Sequence, residues 1–437
     1  MGLEVEEERL MGIAPTGLLW VGPLYQTEGY GSISRNYLIG LHRIGFPVRA
    51  VNFGPPPNRR LPPNTLALLR QLRHADIGDA PIGVVNWSPD LYPMVKFRGV
   101  CKKVGLTLFE TDRVPTAWVP WCREMDEIWV PTRFNFETFS QSGIPPEKLR
   151  VIPYGIDTRQ FRPLAGRERR PGQKGFTFLY NFTLDWRKGF DLLLEAYFSE
   201  FTPADDVSLI LKTCWVPHGG IVSTDVREVL LSSVSKKFRR PAETLPHWEV
   251  MDQRISEQEL IQLYAASDLY TSTERACGWG FPVMEAMAMK VPVAGIDWGG
   301  STEFLTPHNS LLIPTTGRMV PVDDRLAEAR RTLYAGHQWA EVTVEAVRKV
   351  MRYAYEHPRE LKALAERALR DIEEYYPTEV AARHLANAVG AMKVEPLPQR
   401  FWRRTAGVTV GRSKFHPLVF PGIIKRKLME RFSGDLE

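Results

Sequence analysis

A chain of 437 residues with 44% apolar and 24% charged positions is too long for one ordinary core and suits two domains of similar size with a cleft between them; the absence of low-complexity tracts and short repeats excludes a disordered or solenoid chain. The acidic start MGLEVEEERL is unlike a secretory signal, no apolar run approaches the roughly 20 residues that span a bilayer, and Cys101, Cys122, Cys214 and Cys277 lack CxxC pairing, so reduced thiols in a cytoplasmic protein are expected rather than a disulfide framework or zinc knuckle. The formal charge of +5 is concentrated from Arg400 onward, which leaves a nearly neutral body and gives no basis for nucleic-acid binding outside that tail.

Short β-rich runs alternate with helical patterns from end to end, the mark of parallel α/β units. In the first half the predicted strands are Gly17 to Val21, Pro47 to Phe53, Gly83 to Trp87, Leu106 to Glu110, Glu127 to Pro131 and Arg150 to Pro153. Between the first two, Ile33, Tyr37, Leu41 and Ile44 fall on one helical face. The Pro-, Gly- and charge-rich stretch RPLAGRERRPGQK, Arg162 to Lys174, cannot continue a core element. This divides the chain into a first domain at 1–163, a linker at 164–174 and a second domain at 175–392.

The second domain repeats the alternation, with strands predicted at Phe176 to Phe182, Val207 to Lys212, Trp248 to Met251, Leu269 to Thr273, Val291 to Ile296 and Ser310 to Ile313. Phe190, Leu193, Leu194 and Tyr197 have the spacing of a buried helical stripe, and helices dominate from about Asp323 to Met392. A last helix that returns to the first domain is consistent with that helical end. The basic tail, 393–437, carries nine lysines and arginines from Arg400 onward, mixed with Trp402, Phe415, Phe420, Ile423 and Ile424. Docking on the first domain is favoured, because Pro417 and Pro421 break a long amphipathic helix; peripheral contact with the inner face of a membrane is the alternative.

Two doubly wound domains in tandem present two sets of strand carboxyl ends to one cleft, where ligands of such sheets bind. The segment TERACGWGFPVMEAMA, Thr273 to Ala288, runs from a strand end through Gly278, Trp279, Gly280 and Phe281 into a helix that opens at Pro282. Glycines admit a ligand close to backbone amides, a helix start favours phosphate, and Pro at the first turn sacrifices no hydrogen bond. Glu285 offers two acceptor oxygens that suit a ribose diol. A plain strand-turn-helix with an acid near the helix start is the bland reading, and for an isolated GxG it would prevail.

The length of the pattern decides otherwise, since the segment resembles the Glu-x7-Glu signature of the family 4 retaining glycosyltransferases of GT-B fold. Agreeing stretches follow in order: EGYGSISRNYLIGLHRIGF, RVIPYGIDTRQFRP, WRKGFDLLLEAY, ELIQLYAASDLYTSTE and KVPVAGIDWGGSTEFL. Together they cover about Leu18 to Ile313. One departure is central: the position of the first Glu is Cys277, so the chain reads Cys-x7-Glu, with Glu274 three residues earlier as the candidate replacement. Lys290 also stands where the family commonly has glycine.

The resemblance implies transfer of a sugar from a UDP- or GDP-sugar, without a metal or further cofactor, to a saccharide, lipid-linked or protein acceptor, with retention of configuration. Glu285 inherits contact with the donor ribose. Lys188 matches a lysine that neutralises the donor diphosphate in similar enzymes, and Arg187 is the candidate for its missing arginine partner. Gly29 and Gly31 of EGYGS imply amides that approach the diphosphate from the first domain. Glu110 stands near where similar enzymes place a histidine by the sugar. Trp118 and Trp121 are candidates for stacking on an acceptor ring, although tryptophans more often pack at domain faces. A non-catalytic nucleotide-sugar-binding protein of the same fold is the rival reading. A dehydrogenase is disfavoured because EGYGSIS lacks the GxGxxG spacing.

Overall fold

The computed structural model describes residues 14–27, 29–57, 61–166, 172–216, 221, 223–238, 241–394 and 407–410. Among these residues sixteen strands follow in chain order: β1 Gly17–Gly22, β2 Val48–Asn52, β3 Pro81–Asn86, β4 Val95–Arg98, β5 Lys102–Leu106, β6 Glu127–Val130, β7 Leu149–Val151, β8 Phe176–Leu184, β9 Val207–Trp215, β10 Trp248–Met251, β11 Leu269–Ser272, β12 Val293–Ile296, β13 Leu311–Ile313, β14 Met319–Pro321, β15 Gln338–Ala340 and β16 Gly407–Val410.

Two six-stranded parallel sheets organise the molecule, in the orders β2-β1-β3-β5-β6-β7 and β10-β9-β8-β11-β12-β13. Strands covered by helices on both faces need apolar residues at nearly every place rather than at alternate ones. Accordingly GLLWVG of β1 and PIGVVN of β3 are buried throughout. The order of the first sheet reverses between β1 and β3, and that of the second between β8 and β11. These are the switch points at which doubly wound sheets leave a crevice for ligands.

The helical stripes form as their spacing predicts. In the Tyr30–Arg43 helix Ile33, Tyr37, Leu38 and Leu41 are buried, while Ile44 becomes the carboxyl-terminal cap. In the Phe190–Glu200 helix Phe190, Leu193, Leu194 and Tyr197 are all buried. The strand expected at Leu106 to Glu110 is instead β5, which ends where that run begins. Its two lysines and Gly105 disguise it, yet Val104, Gly105 and Leu106 are buried between β3 and β6. A side chain at Gly105 would strike the Tyr92 ring at 2.5 Å. Glu110 consequently lies in a loop four residues past the strand, projecting toward the second domain.

The chain crosses back near its end. The Thr378–Gly390 helix packs against Tyr30–Arg43, so closely that a Cβ on Gly40 would lie 2.1 Å from the Thr378 carbonyl oxygen. Arg43 holds Asp157 at 2.9 Å and Glu379 at 3.3 Å across this junction. Among the described residues of the basic tail, Gly407–Val410 pairs antiparallel with β4; Trp402 and the apolar residues after 410 lie outside the described residues. Residues 319–340, which overlap the start of the helical stretch expected from about Asp323, form a strap in which β14 and β15 pair antiparallel around short helices at Asp324–Ala329 and Arg331–Tyr334. No helix among the described residues is long and apolar enough to cross a membrane.

Candidate active site

Arg187 and Lys188 follow β8, and Glu274 and Cys277 follow β11, so the reversal of the second sheet brings the two loops side by side. Backbone and side-chain bonds lace them together. Arg275 N donates to the Arg187 carbonyl at 2.9 Å, Arg187 Nη1 donates to the Ala276 carbonyl at 2.7 Å, and Thr273 Oγ1 donates to the Gly189 carbonyl at 2.9 Å. Arg275 then reaches over to Asp191 with two bonds of 2.7 and 2.8 Å, the bidentate geometry that guanidinium and carboxylate favour. Asp185 caps the turn by accepting from Arg187 N.

Within this frame Lys188 Nζ lies 2.6 Å from Glu274 Oε1, and Arg187 Nη1 lies 4.0 Å from Glu274 Oε2. Burial alone would raise the Glu274 carboxyl, but the neighbouring charges of Lys188 and Arg187 win and hold it below the usual range. Glu274 Oε2 is buried without a hydrogen-bond partner. Such an orphan acceptor calls for an explanation, and a hydroxyl donor of a ligand would satisfy it. At Cys277 the balance is opposite: burial and then the negative charge of Glu274 push the thiol well above its ordinary value. Cys277 is therefore neutral, and the negative charge of this pocket resides on Glu274.

The turn that follows is built for close approach. Gly280 adopts φ 101°, a left-handed conformation that favours glycine, and caps the Phe281–Ala288 helix with Pro282 in its first turn. A Cβ on Gly278 would meet Leu108 Cδ1 of the first domain at 2.1 Å. Trp279 is buried against Tyr154, Phe304 and Tyr376 at ring distances of 5.3, 5.1 and 6.0 Å, and Phe281 stacks on Tyr154 at 6.2 Å. Both side chains thus serve the domain junction. Glu285 is half-buried one turn further on, where it accepts from Tyr264 at 2.7 Å. Burial pushes its carboxyl up to about 7, opposed by the Tyr264 bond.

The first domain supplies the facing wall. Glu110 Oε1 lies 3.2 Å from Arg187 Nε, which brings all four charged residues Glu110, Arg187, Lys188 and Glu274 into one cross-domain network. Burial opposes the charge of Arg187, but Glu110, Tyr334, Asp185 and Glu274 outweigh it and hold the guanidinium well above its ordinary value. Gly29 caps the Tyr30–Arg43 helix and Gly31 lies buried in its first turn, beside the switch point of the first sheet; Glu28 lies outside the described residues. Arg35 donates to the carbonyls of Leu24, Gln26 and Thr27 and fixes this loop.

Trp118 takes the packed alternative. It is only 4% exposed and packs edge-on against Phe109 at 5.0 Å, which makes it a core residue rather than a stacking surface. Trp121 is half-buried against the same core. Tyr334, Arg330, His337 and Arg275 were not singled out from the sequence, although all touch this network or its frame. Tyr334 donates to Glu110 Oε1 at 2.5 Å, and Arg330 reaches Asp185 at 3.4 Å. Arg275 lies inside the TERACGWGFPVMEAMA segment itself, whereas Tyr334, Arg330 and His337 sit in helical or loop patterns with no motif, so only the path of the strap reveals those three. Among the described residues no group of three or more His, Cys, Asp or Glu has the arrangement of a metal site.

Residues 173–335 match the family model described as Glycosyl transferases group 1. That stretch contains the β8 and β11 loops, Glu285 and most of the strap. A curated relative, the GDP-mannose-dependent monoacylated alpha-(1-6)-phosphatidylinositol monomannoside mannosyltransferase of Corynebacterium glutamicum, is 26% identical over 253 residues, which cover 52% of this chain and 62% of the relative. The match thus spans less than two thirds of that protein. Among solved structures, Anabaena HepE in complex with UDP and glucose superposes with a TM-score of 0.60 at 13% identity, covering 86% of this chain and all of that one. Sucrose-phosphate synthase from Thermosynechococcus elongatus gives 0.59 at 14% identity, covering 85% and 98%. The two parallel sheets and these superpositions establish the α/β GT-B fold.

Proposed function

We propose that the chain transfers a glycosyl group from a nucleoside-diphosphate sugar to an acceptor hydroxyl with retention of configuration, as a glycosyltransferase of the family 4 type. The observation that carries this reading is the pairing of Lys188 with Glu274 at 2.6 Å, beside Arg187 and the Gly278 to Phe281 turn, at the switch point of the second sheet. Displacement of a nucleoside diphosphate requires stabilisation of the charge that grows on the leaving group. Lys188, Arg187 and the amides from Gly278 to Phe281 supply it, with the Gly29 and Gly31 loop closing from the other side.

Glu285 takes the ribose diol, and the orphan Oε2 of Glu274 accepts a hydroxyl of the donor sugar in place of the carboxylate missing at Cys277. Glu110 stands at the junction where sugar and acceptor meet. In the reaction the acceptor oxygen bonds to the anomeric carbon on the face that the phosphate leaves. The bond from that carbon to the phosphate oxygen breaks, its electrons stay on the diphosphate, and the leaving oxygen takes the acceptor proton. Retention follows from this front-face exchange without a carboxylate nucleophile.

The donor test should include GDP-mannose, named for the Corynebacterium glutamicum relative, and UDP-glucose, since HepE was crystallised with UDP and glucose. Nucleotide release that rises with added acceptor, with an anomeric configuration of the product equal to that of the donor, is the expected result. Tight nucleotide binding without release across saccharide, lipid-linked and peptide acceptors would favour a non-catalytic binding protein. Lys188→Ala should slow transfer by on the order of a hundredfold, equivalent to about 3 kcal/mol of barrier; unchanged turnover would remove Lys188 from the assignment.

A further inference from the structure

Three successive residues of the first domain's cleft loop are each held by the strap that crosses from the second. Tyr334 donates to Glu110 Oε1 at 2.5 Å. His337 Nδ1 and Thr111 Oγ1 share a hydrogen bond of 2.7 Å. Gln338 N donates to Asp112 Oδ1 at 2.8 Å, and Asp112 N donates to the Gln338 carbonyl at 3.2 Å.

Tyr334 is the member of this set that reaches the charged network. It is 1% exposed, with its ring stacked on Phe109 at 5.7 Å and the Arg330 guanidinium over the ring at 5.9 Å. Ring packing alone would be met equally by phenylalanine, whereas a buried phenol also needs an acceptor. The acceptor here is the oxygen of Glu110 that also lies 3.2 Å from Arg187 Nε. One hydroxyl donor and one ion-pair partner from the second domain therefore meet at a single carboxylate oxygen of the first.

We infer that Tyr334 is a positioning residue for Glu110, and that the strap completes the reaction site by orienting this carboxylate only when the two domains are closed on each other. The inference rests on the proposed glycosyl transfer, which places Glu110 beside the reacting atoms. A carboxylate on a loop four residues past its strand, where Asn135 Nδ2 holds the backbone by donating to the Phe109 carbonyl at 2.5 Å, still needs support for its side chain. The Tyr334 hydroxyl and the Arg187 guanidinium supply that support from the opposite wall, so opening the cleft releases Glu110 from both. Active-site groups lose much of their effect when displaced by an ångström, and the coupling would tie chemistry to closure.

The experiment compares Tyr334→Phe, Glu110→Gln and the double variant, by steady-state transfer kinetics and by calorimetric binding of UDP and GDP. Tyr334→Phe keeps the ring and removes one hydroxyl. Its kcat is expected to fall about tenfold, as for loss of a single oriented hydrogen bond, with nucleotide Kd within twofold. The double variant should be no slower than Glu110→Gln, because both changes act through one carboxylate. Unchanged kcat in Tyr334→Phe, a parallel loss of nucleotide affinity, or losses that multiply in the double variant would each overturn the positioning role. If the wild-type protein transfers from no nucleotide sugar, the functional reading fails by itself. The same three variants then decide the contact by thermal unfolding: non-additive shifts in Tm support the Tyr334–Glu110 coupling, and additive shifts overturn it.

Discussion

Lys188 and Glu274, separated by 86 positions in the chain, meet through a 2.6 Å bond between Nζ and Oε1. Their side chains are 14% and 3% exposed, so neither charge is well screened. Breaking a buried pair leaves an uncompensated charge, which costs about 3–5 kcal/mol, whereas replacing both members with apolar groups is often tolerated. Glu274→Gln should therefore lower stability in urea unfolding by roughly 3 kcal/mol, and the double change Lys188→Met with Glu274→Leu should recover much of it. Activity should separate Glu274 from its neighbour. Glu274→Gln is expected to abolish most donor turnover, while Cys277→Ser, which exchanges one neutral group for another, retains it. The opposite ranking in a transfer assay would move the sugar contact to Cys277.

Glu285 makes stability depend on pH in a definite direction. Its carboxyl is raised to about 7 from the ordinary 4.5, chiefly by burial. A folded-state value above the unfolded one means that the folded protein holds the proton more tightly. The associated stability is fully present below about 4.5 and is lost as pH rises through about 7. For this one group the loss is on the order of 3 kcal/mol. Denaturant unfolding at pH 5 and pH 8 should show it in the wild type, and Glu285→Gln should reduce the difference between the two pH values. An unchanged difference would mean that the carboxyl is not buried in solution as it is here.

Regular periodicity made the sheets and stripes legible, because a strand covered on both faces must be apolar throughout and a packed helix must repeat every three or four residues. Phe190, Leu193, Leu194 and Tyr197 announce their helix in this way. The pattern failed at β5, where Lys102, Lys103 and Gly105 conceal a central strand whose burial comes from its neighbours. Lys188 and Glu274 were both recognisable as polar residues in loops of chemical interest. Their meeting was not, since it follows from the adjacency of β8 and β11, a property of the sheet order. Tyr334 lies beyond any local signal, because its acceptor Glu110 is 224 positions away.

Lys290 carries local strain that its sequence position foreshadows. It ends the Phe281–Ala288 segment at φ 59°, the single non-glycine residue with positive φ among the described residues. This is the place where the resembling family commonly has glycine. The left-handed conformation costs a residue with a Cβ about 1–2 kcal/mol, partly offset in any glycine variant by its freer unfolded chain. The ion pair from Lys290 to Glu366 at 2.5 Å is exposed on both sides and adds little. Lys290→Gly should thus gain roughly 0.5 kcal/mol, and Lys290→Val should lose more than that. Urea midpoints with equal m-values would check both signs; a stabilising Val variant would contradict the strained geometry.

The Cys277 to Gly280 turn depends on a second glycine contact. Gly300 N donates to the Cys277 carbonyl at 2.6 Å, and a Cβ on Gly300 would lie 2.1 Å from the Gly278 carbonyl oxygen and 3.0 Å from that of Cys277. Both obstacles are backbone, which cannot rotate aside as a side chain would. Gly300→Ala must therefore displace the 277–280 turn or the loop beneath it, with a destabilisation of about 1–3 kcal/mol, the usual range for overpacking. Gly295→Ala is the matched comparison, since its new methyl would meet only Leu305 Cδ1 at 2.7 Å, the mobile end of a side chain. Nucleotide affinity should drop several-fold more in Gly300→Ala than in Gly295→Ala, because only the first moves the amides from Gly278 to Phe281. Equal affinities measured by calorimetry, with Gly300→Ala still folded, would show that those amides do not hold the nucleotide.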